Sequence, residues 1–188
     1  MDRTPGADAR FCGLYEEYYD AMRDYCLRRL SSDDTNDALA EIFMVTWRRI
    51  GSVPSGDQAR LWLFGVARNV VSTTQRGARR RVRLAAKAMA IRDDRPLPNE
   101  TESLVVRRSQ DAAVIQAIAT LKPDDQELVR LKAWEELSHA EIGEVLGISA
   151  HAVDMRLNRA LKKVGKAMRA DPKRKMSSPR PVEEGGER

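Results

Sequence analysis

Apolar side chains recur at three- and four-residue steps along most of the chain. Phe11, Leu14, Tyr15, Tyr18, Met22, Tyr25 and Cys26 make one such face, ending near Leu30, and this spacing predicts an amphipathic helix. Ser31-Ser32-Asp33-Asp34 interrupts it and offers N-cap residues for a second helix, whose stripe is Leu39, Ile42, Phe43, Thr46, Trp47 and Ile50. Gly51 to Gly56, with Pro54 between serines, reads as a loop. Leu61, Leu63, Phe64, Val66, Ala67, Val70 and Val71 mark a third, long helix. Arg92 to Ser103 has prolines and acids and almost nothing apolar, the pattern of a linker. Four shorter patterns follow: Val114, Ile115, Ile118 and Leu121; Leu128, Val129, Leu131 and Trp134; Ile142, Val145 and Leu146; and Val153, Leu157, Ala160, Leu161, Val164 and Met168. Pro123 breaks the first from the second. The periodicity predicts an all-α chain of two small helical bundles joined by a flexible linker. The boundaries are a disordered N-terminus 1–9, a bundle 10–83, a linker 84–109, a bundle 110–169 and a disordered tail 170–188.

Composition narrows the class. Only 3 Trp, 4 Tyr and 3 Phe occur in 188 residues, too few aromatics to favour a β-sandwich or barrel. No apolar run approaches a membrane span, the first ten residues lack a signal-peptide core, and two cysteines cannot build a disulfide scaffold. A cytoplasmic protein without membrane contact is expected. No Cys/His spacing suggests a metal, and no nucleophile–base set or phosphate loop appears. Neither catalytic residues, metal nor cofactor are assigned, and the chain is not expected to be an enzyme.

Charge adds a partner. The net charge is +5, but it is uneven. Ser31 to Glu41 holds Asp33, Asp34, Asp37 and Glu41 and no base. Arg68 to Lys87 holds Arg68, Arg76, Arg79, Arg80, Arg81, Arg83 and Lys87 and no acid. Such a block repels itself unless a polyanion neutralises it, and nucleic acid does so with release of counterions.

The most specific stretch is Ser138 to Leu161. Ser138 and Glu141 can form a capping box, and Gly147 supplies the left-handed turn. Ser149 caps a following helix that buries Val153, Leu157 and Leu161 and shows Ala150, His151, Asp154, Met155, Arg156 and Arg159 on its other face. This is the layout of a helix-turn-helix whose second helix enters a major groove. Cys12 and Cys26 read as small buried hydrophobes, and the tryptophans as core. An autonomous dimeric helix-turn-helix regulator is the alternative on these residues alone.

Three motifs in order then carry a resemblance. Ser138 to Leu161 resembles region 4 of the sigma-70 family. Trp62-Leu63-Phe64-Gly65-Val66-Ala67-Arg68-Asn69 resembles the Trp-Leu…Ala-Arg-Asn run of its region 2. Asp37-Ala38-Leu39-Ala40-Glu41-Ile42-Phe43, with Trp47 beyond it, is similar to the polymerase-binding helix. The short two-domain layout resembles the extracytoplasmic-function, group 4, type. The resemblance implies a sigma factor that binds core RNA polymerase, directs it to promoters and assists their melting. On that basis Asp37, Leu39, Glu41, Ile42, Met44 and Arg48 are expected at the clamp helices of the largest subunit. Arg60, Trp62, Arg68, Asn69, Arg76, Arg79 and Arg80 are expected on the minus-ten element, with the loop Gly51 to Ala59 beside them. Ser149, His151, Asp154, Met155, Arg156 and Arg159 are expected on the minus-thirty-five element. Implied partners are core polymerase, including the flap of its second subunit, promoter DNA and an anti-sigma factor. Gly143 departs from the family pattern, which has alanine there; Ala40, Ser72 and Asp154 depart as well.

Overall fold

The computed structural model describes residues 6–90 and 109–170. Within them lie seven α-helices and one short 3₁₀ turn, and no strand. The expectations for residues 1–5, 91–108 and the tail from 171 fall outside the described residues, while the first helix begins at Ala7, inside the N-terminus 1–9 expected to be disordered. The helices are α1 (Ala7–Leu27), α2 (Ser32–Arg48), α3 (Asp57–Ala90), α4 (Ser109–Ala119), α5 (Pro123–Ala133), α6 (His139–Leu146) and α7 (Ala150–Ala170). There are two compact units. In one, α1, α2 and α3 pack on each other; in the other, α7 packs on α4 and α5.

Local chemistry sets the ends of α2. The Ser31 hydroxyl accepts from the Asp34 amide at 3.2 Å, and Asp33 and Asp34 in the first turn complement the helix dipole. The helix buries Thr35, Ala38, Leu39, Ile42, Phe43 and Thr46. Its partner α1 buries Leu14, Met22, Tyr25 and Cys26, a narrower stripe than its spacing predicts. Phe11 and Tyr15 instead join Tyr19, Phe43 and Trp47 in an outer aromatic seam. Trp47 meets Phe11 edge-on at 4.9 Å between ring centroids, and Tyr15 lies 4.7 Å from Phe43. Wide rings along one flank can shield each other without entering the core, so Tyr15 and Trp47 stay part exposed. Cys12 is exposed, against the reading of both cysteines as buried; only Cys26 is buried.

The third helix runs seven residues past the expected boundary at 83, to Ala90. Leu84-Ala85-Ala86-Lys87-Ala88-Met89-Ala90 is made of strong helix formers with no breaker, which explains the extension. Burial on α3 ends earlier: Ala59, Leu61, Leu63, Phe64, Ala67 and Val71 are inside, and residues 79 to 87 are exposed.

In the second unit Leu121, Leu128, Leu131, Leu137, Ile142 and Val153 form the middle of the core. The last helix buries Val153, Leu157, Ala160 and Val164, at steps of four, three and four. Leu161, expected inside, is half exposed, because it lies one position round the helix from Ala160, which takes the inward place.

Candidate nucleic-acid interface

The helix-turn-helix is built by four local bonds. The Ser138 amide donates to Glu141 Oε2 at 2.7 Å, and the Glu141 amide donates to Ser138 Oγ at 3.3 Å. That is the predicted capping box. Gly147 takes φ +68°, and the Ile148 amide donates to the Gly143 carbonyl at 2.9 Å. The Ala152 amide donates to Ser149 Oγ at 3.1 Å, capping α7. The turn brings the Ile148 carbonyl over Gly143, where a Cβ would meet it at 2.6 Å. An alanine at 143 would force this turn to shift.

The outward face of α7 carries His151, Met155, Asn158 and Arg159, all exposed. Arg159 Nε donates to the Met155 carbonyl at 3.1 Å, an exposed bond that a competing acceptor can replace. Two expected members differ. Arg156 does not share this face: its Nη2 and Nε donate to Asp125 Oδ1 of α5 at 3.0 and 3.3 Å. Asp154 lies on the opposite flank, with its Oδ1 3.7 Å from His139 Nδ1. Ser149 is the cap residue, its hydroxyl occupied by the helix.

On α3 the basic side chains stand opposite the buried face. Asn69, Arg76, Arg80, Arg83 and Lys87 follow at steps of seven, four, three and four, and all are exposed. They form one continuous cationic stripe. Arg76 donates to the Ser72 carbonyl and to Thr73 Oγ1, both at 3.2 Å. Arg79 is exposed beside the stripe, Arg68 is half-buried, and Arg81 turns back to Asp34 at 3.5 Å. Near the helix start the expected set is more embedded. Trp62 packs on the small cluster of Leu14, Val53 and Ala59 beneath the loop, and the Arg60 guanidinium lies 5.4 Å from the Phe64 ring. Trp62 thus contributes to holding the loop as well as to its surface.

One arginine that the sequence patterns do not single out organises this loop. Arg10 of α1 donates from Nη1 to the Ile50 carbonyl at 3.2 Å, and from Nη2 to the carbonyls of Val53 and, at 3.1 Å, Pro54. Its partners are 40 to 44 residues away, so no local signal could reveal it. Beside it lies a recess of about 350 Å³ lined by Arg10, Glu17, Tyr18, Pro54 and Asp57, among others. Burial and Glu17 push Tyr18 up to about 12.

The α2 set divides in two. Asp37, Glu41, Met44 and Arg48 are exposed and lie at steps of four, three and four, so they share one outward stripe. Leu39 and Ile42 are buried, at 6% and 0% exposure. They cannot touch a partner, because the same periodicity that exposes residues 37, 41 and 44 turns 39 and 42 into the core. Asp37 and Glu41 also line an open groove with Asn69, Val70, Thr73 and Thr74 of α3, about 490 Å³ in volume.

Residues 111–164 match the family model for sigma-70, region 4. The chain is 30% identical over 174 residues to the ECF RNA polymerase sigma factor BldN of Streptomyces coelicolor, covering 91% of this chain and 65% of BldN. It is 28% identical over 171 residues to the ECF RNA polymerase sigma factor SigL of Mycobacterium tuberculosis, covering 86% of this chain and 93% of SigL. Among solved structures, the sigma factor RpoE of Bartonella quintana, in complex with the anti-sigma factor NepR, superposes with a TM-score of 0.62 at 20% identity. It covers 86% of this chain and 98% of that one. Residues 111–164 thus carry a sigma-70, region 4, domain, and over most of its length the chain is similar to extracytoplasmic-function sigma factors. The relatives do not support the autonomous dimeric regulator.

Proposed function

We propose that the chain is a promoter-specificity subunit of bacterial RNA polymerase. In this reading α7 reads the minus-thirty-five element through His151, Met155, Asn158 and Arg159. The α3 stripe runs along the phosphates near the minus-ten element, and the Arg10-pinned loop receives a base extruded on melting. The exposed α2 stripe of Asp37, Glu41, Met44 and Arg48 docks on core polymerase, acids against a basic partner surface. Residues 110–169 form the minus-thirty-five domain, and the bundle from residue 10 forms the core- and minus-ten-binding domain. Sigma factors act by binding and carry no reaction of their own, and catalysis is left to the polymerase. An anti-sigma factor, named with the solved relative from Bartonella quintana, is a further proposed partner. No helix among the described residues is long and apolar enough to cross a membrane, which accords with a place beside polymerase in the cytoplasm.

The observation that carries the reading is that one chain presents two separate DNA-suited surfaces. A groove-reading helix stands in one unit, and a cationic stripe opposite a buried core stands in the other. A lone operator-binding module needs only the first. Run-off transcription with core polymerase free of its own sigma factor tests it. Addition of this protein should start transcripts at discrete positions on a subset of promoters; background transcription on a genome-wide template pool would overturn the reading.

A further inference from the structure

The apolar face of α7 fixes its depth in the core but only loosely its roll. Hydrophobic contact has no direction, whereas a hydrogen bond does. Val153, Leu157, Ala160 and Val164 make one stripe. At about 100° per residue, Asp154 and Arg156 fall on opposite flanks of it, each about 70–90° from its centre. The Arg156 flank is tied by directed bonds. Arg156 gives two hydrogen bonds to a single oxygen of Asp125 on α5, and the side chains are only 29% and 19% exposed. Asp154 faces His139 of α6 on the other side at 3.7 Å. Between the flanks, the remaining sector of α7 presents His151, Met155, Asn158, Arg159 and Lys162.

The sensitivity is geometric. A roll of about 20° moves a side-chain end about 2 Å at a helix radius of about 5–6 Å. That displacement is enough to break a base-edge hydrogen bond. The Arg156 guanidinium is therefore better explained as a brake on roll than as a reader, because its donors are directed at α5.

We propose that Asp125 and Arg156 are positioning residues for promoter recognition: they set the roll of α7, and so which base edges its outward side chains reach, without themselves touching DNA. The inference rests on the promoter-reading function above. It adds a specificity determinant, Asp125, that lies off the recognition helix.

The test uses the full chain with core polymerase, a promoter that the wild type opens, and a panel of single-base changes in its upstream element. Affinities are measured at two salt concentrations for wild type, Asp125→Ala, Asp125→Asn, Asp125→Glu, Arg156→Ala and the double alanine variant. Asp125→Ala and Arg156→Ala should each compress the matched-to-mismatched ratio by about three- to tenfold. The double variant should be no worse than either single one, and Asp125→Glu should recover most of the ratio. Binding to non-specific duplex should not fall, and the salt slope should stay as in wild type. Asp125→Asn keeps the shape and one acceptor oxygen but loses the charge, so its matched-to-mismatched ratio should fall between those of wild type and Asp125→Ala, with an unchanged helical spectrum.

Two results would overturn the inference. One is a silent Asp125→Ala with Arg156→Ala lowering the salt slope by about one, which marks a phosphate contact. The other is a silent Asp125→Ala with Arg156→Ala flattening one base position, which marks direct readout. If the wild type itself shows no preference among the variants, the promoter-reading function fails instead.

Discussion

A single methyl group separates the family pattern from this chain at residue 143. Alanine there would set its Cβ 2.6 Å from the Ile148 carbonyl oxygen, a backbone atom that cannot swing away. Gly143→Ala should therefore open the turn and destabilise the second unit by about 1–3 kcal/mol. Thermal denaturation of the full chain should show one transition lowered and the α1–α3 transition unmoved. The two cysteines give a second residue-scale expectation. Burial pushes the Cys26 thiol up to about 11, with Arg29 acting weakly against it. The fold favours the neutral thiol, so this stabilisation is whole below pH about 9 and is lost as pH rises through about 11. Denaturant unfolding of the first unit should weaken across that window by up to about 1.4 kcal/mol per pH unit. A Cys26→Ala variant should show a shallower slope. Alkylation near neutral pH should label exposed Cys12 and leave Cys26 until the chain unfolds.

Helix α2 shows how one element serves two masters at fixed spacing. Leu39 and Ile42 face the core, while Asp37, Glu41, Met44 and Arg48 face out. Leu39→Ala should cost about 2–5 kcal/mol of folding stability and weaken polymerase binding only through that loss. Glu41→Lys should leave the melting curve in place and weaken association with core polymerase in a pull-down. The loop after α2 depends on a different element. Arg10 reaches three carbonyls because a guanidinium spreads its donors in a plane, which a lysine ammonium cannot reproduce. Arg10→Lys should slow open-complex formation on duplex promoter by about tenfold, roughly the loss of one charge-assisted hydrogen bond. A pre-melted template should recover much of that rate. Equal slowing on both templates would separate the loop from melting.

At the scale of the whole molecule, the proposed function divides phosphate contact and base reading between two units. The α3 stripe holds Arg76, Arg80, Arg83 and Lys87 in exposed positions outside the apolar core, which suits it to phosphates rather than to a protein interior. Replacing Arg76, Arg80 and Arg83 with glutamine should lower the salt slope of promoter binding by about 0.9 for each phosphate no longer neutralised. The preference among upstream-element variants should remain, because that lies in α7. A parallel loss of preference would show that the two surfaces are not separable.

Helices, caps and the helix-turn-helix were readable from one chain because their causes are local. Ser138 and Glu141 are three residues apart, and so are Ser31 and Asp34; Gly147 needs only its own φ. The apolar periods located both bundles for the same reason. The extra turns at the end of α3 lie past the boundary at 83 because helix propensity, rather than the end of the arginine run, decides where that helix stops. Tertiary structure decided what depends on residues distant in sequence. Arg10 meets carbonyls 40 to 44 positions on, and Arg156 meets an aspartate 31 positions back. Nothing in the spacing of either arginine distinguishes a ligand-facing side chain from a brace. The amino-acid sequence by itself determined which helices form and where the helix-turn-helix lies. Which arginines stand exposed and which act as braces was decided by packing, because a side chain's partner is chosen by the fold that surrounds it.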